Sequence, residues 1–265
     1  MVGDDYIWFM KSVKESFGLD LANYKENQMK RRLTSLREQK GCGNFRDFYQ
    51  KIQSDPKLLD QFLDRMTINV SSFYRNANRW KRFEELILPE LLAGKKSLKV
   101  WSAACSTGQE PYTIAMVLSK HLPLGQVSIL ATDIDERVIE KARAGRYPEE
   151  SLKEVPAEVK NQFFKKCDGR IWEVNDEVKK TVQFRKHNLL DDPFSKNFDF
   201  IVCRNVLIYF TNEAKDLLYH KFNDALSPNG ILFVGSTEQI FYPERYGFES
   251  EETFFYRKKI GVREG

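Results

Sequence analysis

Residues 98–112, LKVWSAACSTGQEPY, constrain this chain more than any other stretch. They open with a short apolar run, Leu98, Val100 and Trp101, which reads as a strand. They then fall through Ser102, Ala103, Ala104, Cys105, Ser106, Thr107 and Gly108 and resume as a helix pattern from about Glu110. Pro111 suits a helical first turn, where its missing N–H costs nothing. Strand, small-residue turn and helix make the first half of a βαβ unit. Small side chains let the backbone approach a nucleotide-like ligand at such a turn. The same pattern also fits an ordinary βα loop with no ligand. It is not GxGxxG, so a dinucleotide fingerprint is absent.

Further along, near-continuous apolar runs alternate with helix patterns. Residues 127–132 (VSILAT) read as a strand, followed by Asp133-Ile134-Asp135 and a helix through Ala142. Residues 198–203 (FDFIVC) read as another, with a helix over about 212–226, a Pro228-Asn229-Gly230 turn and a strand at 231–234. A last, antiparallel strand is expected at 253–256. This rhythm predicts an α/β fold with a mostly parallel sheet covered on both faces. Between Gly145 and His187 the spacing is too long for a simple helix crossover. The alternating segments IWEV (171–174) and VQF (182–184), with a turn at Asp168-Gly169, predict a small antiparallel β insertion over about 146–187. Its role is either partner recognition or packing.

Ahead of this, residues 4–66 carry helix signals only. Ile7, Trp8, Met10 and Val13 sit near helical spacing, and Gly18 ends their run. A basic helix is expected over 21–40, with Met29, Leu33 and Leu36 as its buried stripe, Lys30 and Arg37 on one flank and Arg31 pointing away. Asn44 is the expected N-cap of a third helix, and a fourth follows Pro56. Residues 23–40 hold six basic side chains against two acidic ones, and the whole chain holds 42 against 38, so this stretch matches the +4 excess of the entire protein. It is either a solvated face or a docking surface for an acidic partner or a phosphate backbone.

The composition, 42% hydrophobic and 30% charged over 265 residues, is that of a soluble globular protein. No apolar run approaches a membrane span, and the N-terminal residues lack the apolar core of a secretory signal. The four cysteines form no CxxC pair, and the three histidines lie far apart, so neither a disulfide or zinc framework nor a histidine base is expected. A reducing cytoplasm is the expected location. Cys105 and Cys203 read as buried packing residues.

Several residues could carry chemistry. Asp133, just past the second strand, could accept from ribose hydroxyls or simply cap the next helix. Asn188 with Leu189 could meet an adenine ring. Residues 204–210, RNVLIYF, bring Arg204, Asn205 and Tyr209 to the carboxyl end of the sheet, where ligands bind in open α/β folds. Residues 69–75, NVSSFYR, bring Asn69, Ser71 and Arg75 from a linker.

With NVSSFYR, WSAACSTGQEPYTIA, ATDID, NLL, CRNVLIYF and GSTE in this order and spacing, the chain resembles the CheR family of chemotaxis receptor glutamate methyltransferases over nearly its whole length. The resemblance implies an all-α N-terminal domain (1–68), a linker motif and connecting helix (69–97), and a Rossmann-like class I S-adenosylmethionine-dependent methyltransferase domain (98–260) carrying the β insertion. It implies a cofactor site of Asn69, Ser71, Arg75, Glu110, Asp133, Asn188, Leu189, Arg204 and Asn205, with Arg75 and Tyr209 nearest the reacting centre and no metal. The family often has Thr at position 71 and Glu at position 109.

The implied reaction moves a methyl from S-adenosylmethionine to receptor glutamates, giving methyl esters and S-adenosylhomocysteine. An acidic receptor helix could then dock on Lys30, Arg31, Arg32 and Arg37. Some family members bind a receptor C-terminal peptide on the β insertion. Here the loop around 167–170 is shorter and lacks their extra glycines, so weak or no binding is expected. The runner-up is a methyltransferase of the same fold acting on nucleic acid, against which the chain has no NPPY-type motif. A non-catalytic module that binds the cofactor as a sensor is a further alternative, disfavoured by Arg75 and Tyr209.

Overall fold

The computed structural model describes residues 2–67 and 71–259. By its internal contacts the chain forms two compact units, Met1–Asn69 with Leu207–Leu217, and Val70–Val206 with Leu218–Gly265.

The first unit is helical: α1 (Val2–Phe17), α2 (Glu26–Gln39), α3 (Phe45–Ser54) and α4 (Pro56–Thr67). Sequence explains its punctuation. Gly18 and Gly41 take the left-handed backbone (φ +67° and +71°) where α1 and α2 stop. Asn44 caps α3 as expected, its Oδ1 accepting the Asp47 N–H at 2.8 Å. Met29, Leu33 and Leu36 are the buried stripe of α2. On α1 the core is instead Tyr6, Phe9 and Val13, and Ile7 is exposed. Phe9 packs on Phe45 and Phe62, with ring centroids 5.0 and 6.0 Å away.

Residues Leu207–Leu217, expected within the methyltransferase domain, group by packing with these helices. The Phe210 ring lies 5.1 Å from Tyr24, and Tyr209 O and Asn23 O accept the N–H groups of Lys25 and Thr211.

The second unit contains a seven-stranded sheet. Its strands are β1 (Leu98–Ala103), β2 (Val127–Asp133), β6 (Val182–Lys186), β7 (Phe198–Cys203), β8 (Leu226–Val234), β9 (Phe248–Glu252) and β10 (Phe255–Lys258). Their order is β6-β2-β1-β7-β8-β10-β9. The first five are parallel, and β10 pairs antiparallel with both β8 and β9. The chain runs outward from β1 through β2 to β6, then returns beside β1 with β7. The carboxyl ends of β1 and β7 therefore flank the switch point where such sheets bind ligands.

Helices α5 (Ala77–Arg82), α6 (Leu88–Leu92), α7 (Gln109–Leu118), α8 (Glu136–Ala144) and part of α11 (Asn212–Ala225) belong with this sheet; a π-helical stretch, Phe83–Ile87, joins α5 to α6. Trp80 and Phe83 pack on Phe233 and Phe200.

A second, three-stranded antiparallel sheet comprises β3 (Arg146–Pro148), β5 (Ile171–Val174) and β4 (Phe164–Lys166), with the short helices α9 (Ala157–Phe163) and α10 (Asp176–Lys179). The β insertion is thus present, but Val182, Gln183 and Phe184 are not part of it. They pair in parallel with Leu130, Ala131 and their neighbours at the edge of the main sheet. Their burial pattern alternates because an edge strand buries one face fully and the other only in part.

Candidate active site

The turn after β1 is built by alternating backbone hands. Ala104, Ser106 and Gly108 have φ of +62°, +49° and +93°. For Ala104 and Ser106 the left-handed region costs about 1–2 kcal/mol each. Gly108 has no alternative, since a Cβ there would stand 2.8 Å from Ala142 Cβ and 2.9 Å from the Tyr147 hydroxyl. The turn is fixed to the next strand: Cys105 N–H donates to Thr132 O at 2.9 Å, and Ser106 N–H to Asp133 Oδ2 at 2.8 Å.

Asp133 ends β2 and is buried. Its Oδ1 accepts the Asp135 N–H at 3.1 Å, and the Ile134 N–H also acts on this carboxylate. Burial pushes its pKa up to about 6 against the pull of those hydrogen bonds. The capping of α8 falls instead to Asp135, whose Oδ1 accepts the Arg137 N–H at 3.0 Å.

Glu110 lies in the first turn of α7, where its Oε1 accepts from Ser102 Oγ at 2.8 Å. Arg204, directly after β7, brings Nη1 to 3.6 Å from Glu110 Oε2. Its Nη2 donates to Arg75 O at 3.0 Å and to Asn76 Oδ1 at 2.8 Å. The guanidinium lies over the Phe233 ring at 4.7 Å and is buried, which lowers its pKa; Glu110 and Glu238 oppose that. Burial likewise raises the Glu110 pKa, countered first by Arg204 and then by the Ser102 bond. Arg204 therefore positions the turn bearing Arg75 and holds Glu110.

Glu238, buried after β8, was not singled out by sequence reasoning. Its Oε2 accepts the N–H groups of Asn205 and Gly235, both at 2.7 Å. It ties the end of β7 to the end of β8 and leaves Asn205 with φ +62°. The signal available was the acid of GSTE, four residues past the last apolar position of a strand.

The other expected residues are placed as follows. Ser71 and Arg75 are half-buried at the start of the second unit, and the Arg75 charge lowers the Glu110 pKa. The segment between them is pinned by Tyr74 N–H to Thr113 Oγ1 at 3.0 Å and Phe73 N–H to Ser151 O at 3.1 Å. Asn69 lies outside the described residues. Asn188 builds a local turn, its Oδ1 accepting the Leu190 N–H at 3.1 Å, and Leu189 is buried.

Tyr209 is in the first unit, where the Arg32 guanidinium sits 5.0 Å over its ring. Lys30 and Arg37 overlie Tyr6 and Phe45 at 5.0 and 4.9 Å. Of the four basic residues only Arg31 is exposed; the other three are half-buried. Cys105 and Cys203 are buried, and burial pushes both thiols up, so neither is poised as a nucleophile. Among the described residues no cluster of His, Cys, Asp and Glu is arranged to hold a metal ion, and no helix is long and apolar enough to cross a membrane.

Asp133 and Glu110 thus set two carboxylates, one buried and one half-buried, at the end of β2 and the start of α7. A family model described as "CheR methyltransferase, SAM binding domain" matches residues 69–255, and "CheR methyltransferase, all-alpha domain" matches residues 4–67. The chemotaxis protein methyltransferase of Listeria monocytogenes is 43% identical, covering 96% of this chain and 97% of its own. That of Borreliella burgdorferi is 35% identical over 89% of this chain and 88% of its own. Chemotaxis protein methyltransferase 1 of Pseudomonas aeruginosa is 34% identical, at 89% and 90%. The strand-end site and these matches together make the chain a member of the CheR family of S-adenosylmethionine-dependent chemotaxis protein methyltransferases.

Proposed function

We propose that the protein methylates glutamate side chains on the cytoplasmic helices of chemotaxis receptors, in the cytoplasm, yielding glutamate methyl esters and S-adenosylhomocysteine. One observation carries this reading: an arginine, Arg75, is held through its carbonyl by Arg204 beside Glu110, and among the described residues that build the site there is no histidine. A carboxylate acceptor is already ionised at neutral pH, so no proton must be removed, whereas an amine or hydroxyl acceptor needs a base.

S-adenosylmethionine, when bound, supplies a methyl on a sulfonium whose C–S bond breaks as the new O–C bond forms. The chain's own residues do the positioning. Asp133 accepts from the ribose hydroxyls, Glu110 answers the ammonium, and Arg75 orients the incoming carboxylate. Asn69, Ser71, Asn188, Leu189 and Asn205 complete the cofactor site, and Tyr209 sets the substrate. Holding two reactants in line can supply on the order of 7–11 kcal/mol of the barrier. Lys30, Arg31, Arg32 and Arg37 receive the acidic receptor helix.

The β insertion's hairpin turn is tight, with Cys167 N–H bonded to Ile171 O at 2.9 Å, and it does not bind a receptor C-terminal peptide strongly. Calorimetry showing micromolar affinity for such a peptide would overturn that part.

The main test supplies methyl-labelled cofactor with a receptor cytoplasmic fragment, RNA or DNA. Label on the receptor fragment, released as methanol by mild base, is expected. Base-stable label, or label on nucleic acid alone, defeats the proposal.

A further inference from the structure

Phe241 and Tyr242 are 72% and 67% exposed, the two most exposed of the large hydrophobic side chains that stand out on this surface. They are held outward by structure on both sides. Ile240 before them is buried and its N–H donates to the Tyr256 hydroxyl at 2.9 Å. Tyr246 after them is buried against Tyr219 and His220. Between these anchors Tyr242 takes φ +55° and starts the Pro243–Tyr246 turn. A left-handed tyrosine costs about 1–3 kcal/mol, and such strain clusters where a chain presents a side chain for use.

The pair belongs to the loop whose base is the site itself. Glu238, joined to Asn205 and Gly235, lies three residues before Phe241, a reach of at most about 11 Å of extended chain. Ser236 of the same loop lines an open trough of about 780 Å³ with Asn76, Arg79, Lys81 and Arg82, and with Glu85 and Glu154 as its acidic members. Asn76 adjoins Arg75 in sequence and accepts from Arg204.

We infer that Phe241 and Tyr242 form an aromatic rim that docks an apolar patch on the receptor helix beside the glutamate being methylated. This rests on the proposed function and names a surface for it. One carboxylate contact cannot select a protein substrate; selection needs desolvated area beyond the reacting group, and exposed aromatics supply it at little entropic cost. The rim's continuity with the site points to the substrate rather than to a second copy of the chain or a lipid surface.

The test compares wild type with the Phe241→Ala, Tyr242→Asn double variant. Asparagine tolerates the left-handed backbone, so the turn survives. The readouts are receptor-fragment methylation against fragment concentration, affinity for S-adenosylhomocysteine, sedimentation, and binding to anionic vesicles. The expected result is a KM for the fragment raised about tenfold or more, equal to about 1.4 kcal/mol, with kcat and S-adenosylhomocysteine affinity unchanged. Tyr242→Phe alone, which keeps the ring, should leave the KM near its wild-type value. An unchanged KM while wild-type turnover proceeds overturns the rim alone, as does a loss confined to self-association or vesicle binding. Absence of wild-type turnover on the fragment overturns the proposed function together with it.

Discussion

Asp133 shows how one buried carboxylate couples ligand, pH and stability. Its pKa is raised to about 6 because burial disfavours the charge, while the proposed contact with the ribose hydroxyls of S-adenosylmethionine is stronger to an ionised acceptor. Affinity for S-adenosylhomocysteine should therefore be full above about pH 6 and weaken as pH falls through that value. The sign for folding is opposite. The folded protein keeps this proton to higher pH than the unfolded chain, so the group's contribution to stability is present at low pH and is lost as pH rises from about 4 to 6. Asp133→Asn should flatten both trends. It should also weaken binding roughly tenfold to a hundredfold, since hydrogen bonds to a charged acceptor are worth about 1.5–3 kcal/mol and one amide edge would face a backbone donor. Calorimetric titration from pH 5 to 8 on both proteins measures this. A wild-type affinity that stays level across that range removes Asp133 from the ribose position.

At the scale of elements, α2 adds packing to the proposed docking at Arg37, while Arg31 is left for docking alone. The Arg37 side chain is 17% exposed, and its guanidinium lies 4.9 Å over Phe45 in the first unit's aromatic core. Arg31 stands in solvent. Arg37→Ala should cost about 1–2 kcal/mol of stability through the lost cation–π contact and stem packing. Arg31→Glu should leave the melting temperature within a degree or so but raise the KM for the receptor fragment. Thermal melts paired with methylation kinetics distinguish the two, and equal behaviour of both variants would dissolve the distinction.

The same helix shows what was legible in sequence. Its buried stripe, the Asn44 cap and the strands at 98–103, 127–133 and 198–203 follow from local periodicity, which the final structure obeys. What escaped depends on long-range pairing. VQF at 182–184 alternates like an insertion strand, but its partner is β2, some fifty residues earlier in the chain. Glu238 and Arg204 looked like candidate ligand contacts or motif letters; only the fold shows that they clamp backbone from other elements. Tyr209 lies a few residues past β7, yet the turn it sits in packs with α2's neighbourhood, because Leu207–Leu217 joins the helical unit.

At the scale of the whole molecule, charge is localised rather than spread. Removing the six basic and two acidic residues of 23–40 leaves 42 − 6 = 36 basic against 38 − 2 = 36 acidic, so the remainder is formally neutral. The net excess of the α2 stretch favours an acidic partner there, and salt screens that attraction. Exposed charges further apart than about 8 Å are largely screened at 0.15 M salt. The KM for the receptor fragment should rise steeply between low and physiological salt, while S-adenosylhomocysteine affinity, proposed to rest on the half-buried Glu110 and the buried Asp133, should change little. Reversing Lys30 and Arg31 together shifts the net charge by four, to zero, and should abolish most of the salt dependence along with the low-salt gain in affinity. Methylation rates at three ionic strengths for wild type and K30E/R31E measure this. A double variant that keeps the wild-type slope would place the receptor's acidic face on another basic stretch, such as Lys179, Lys180, Arg185 and Lys186.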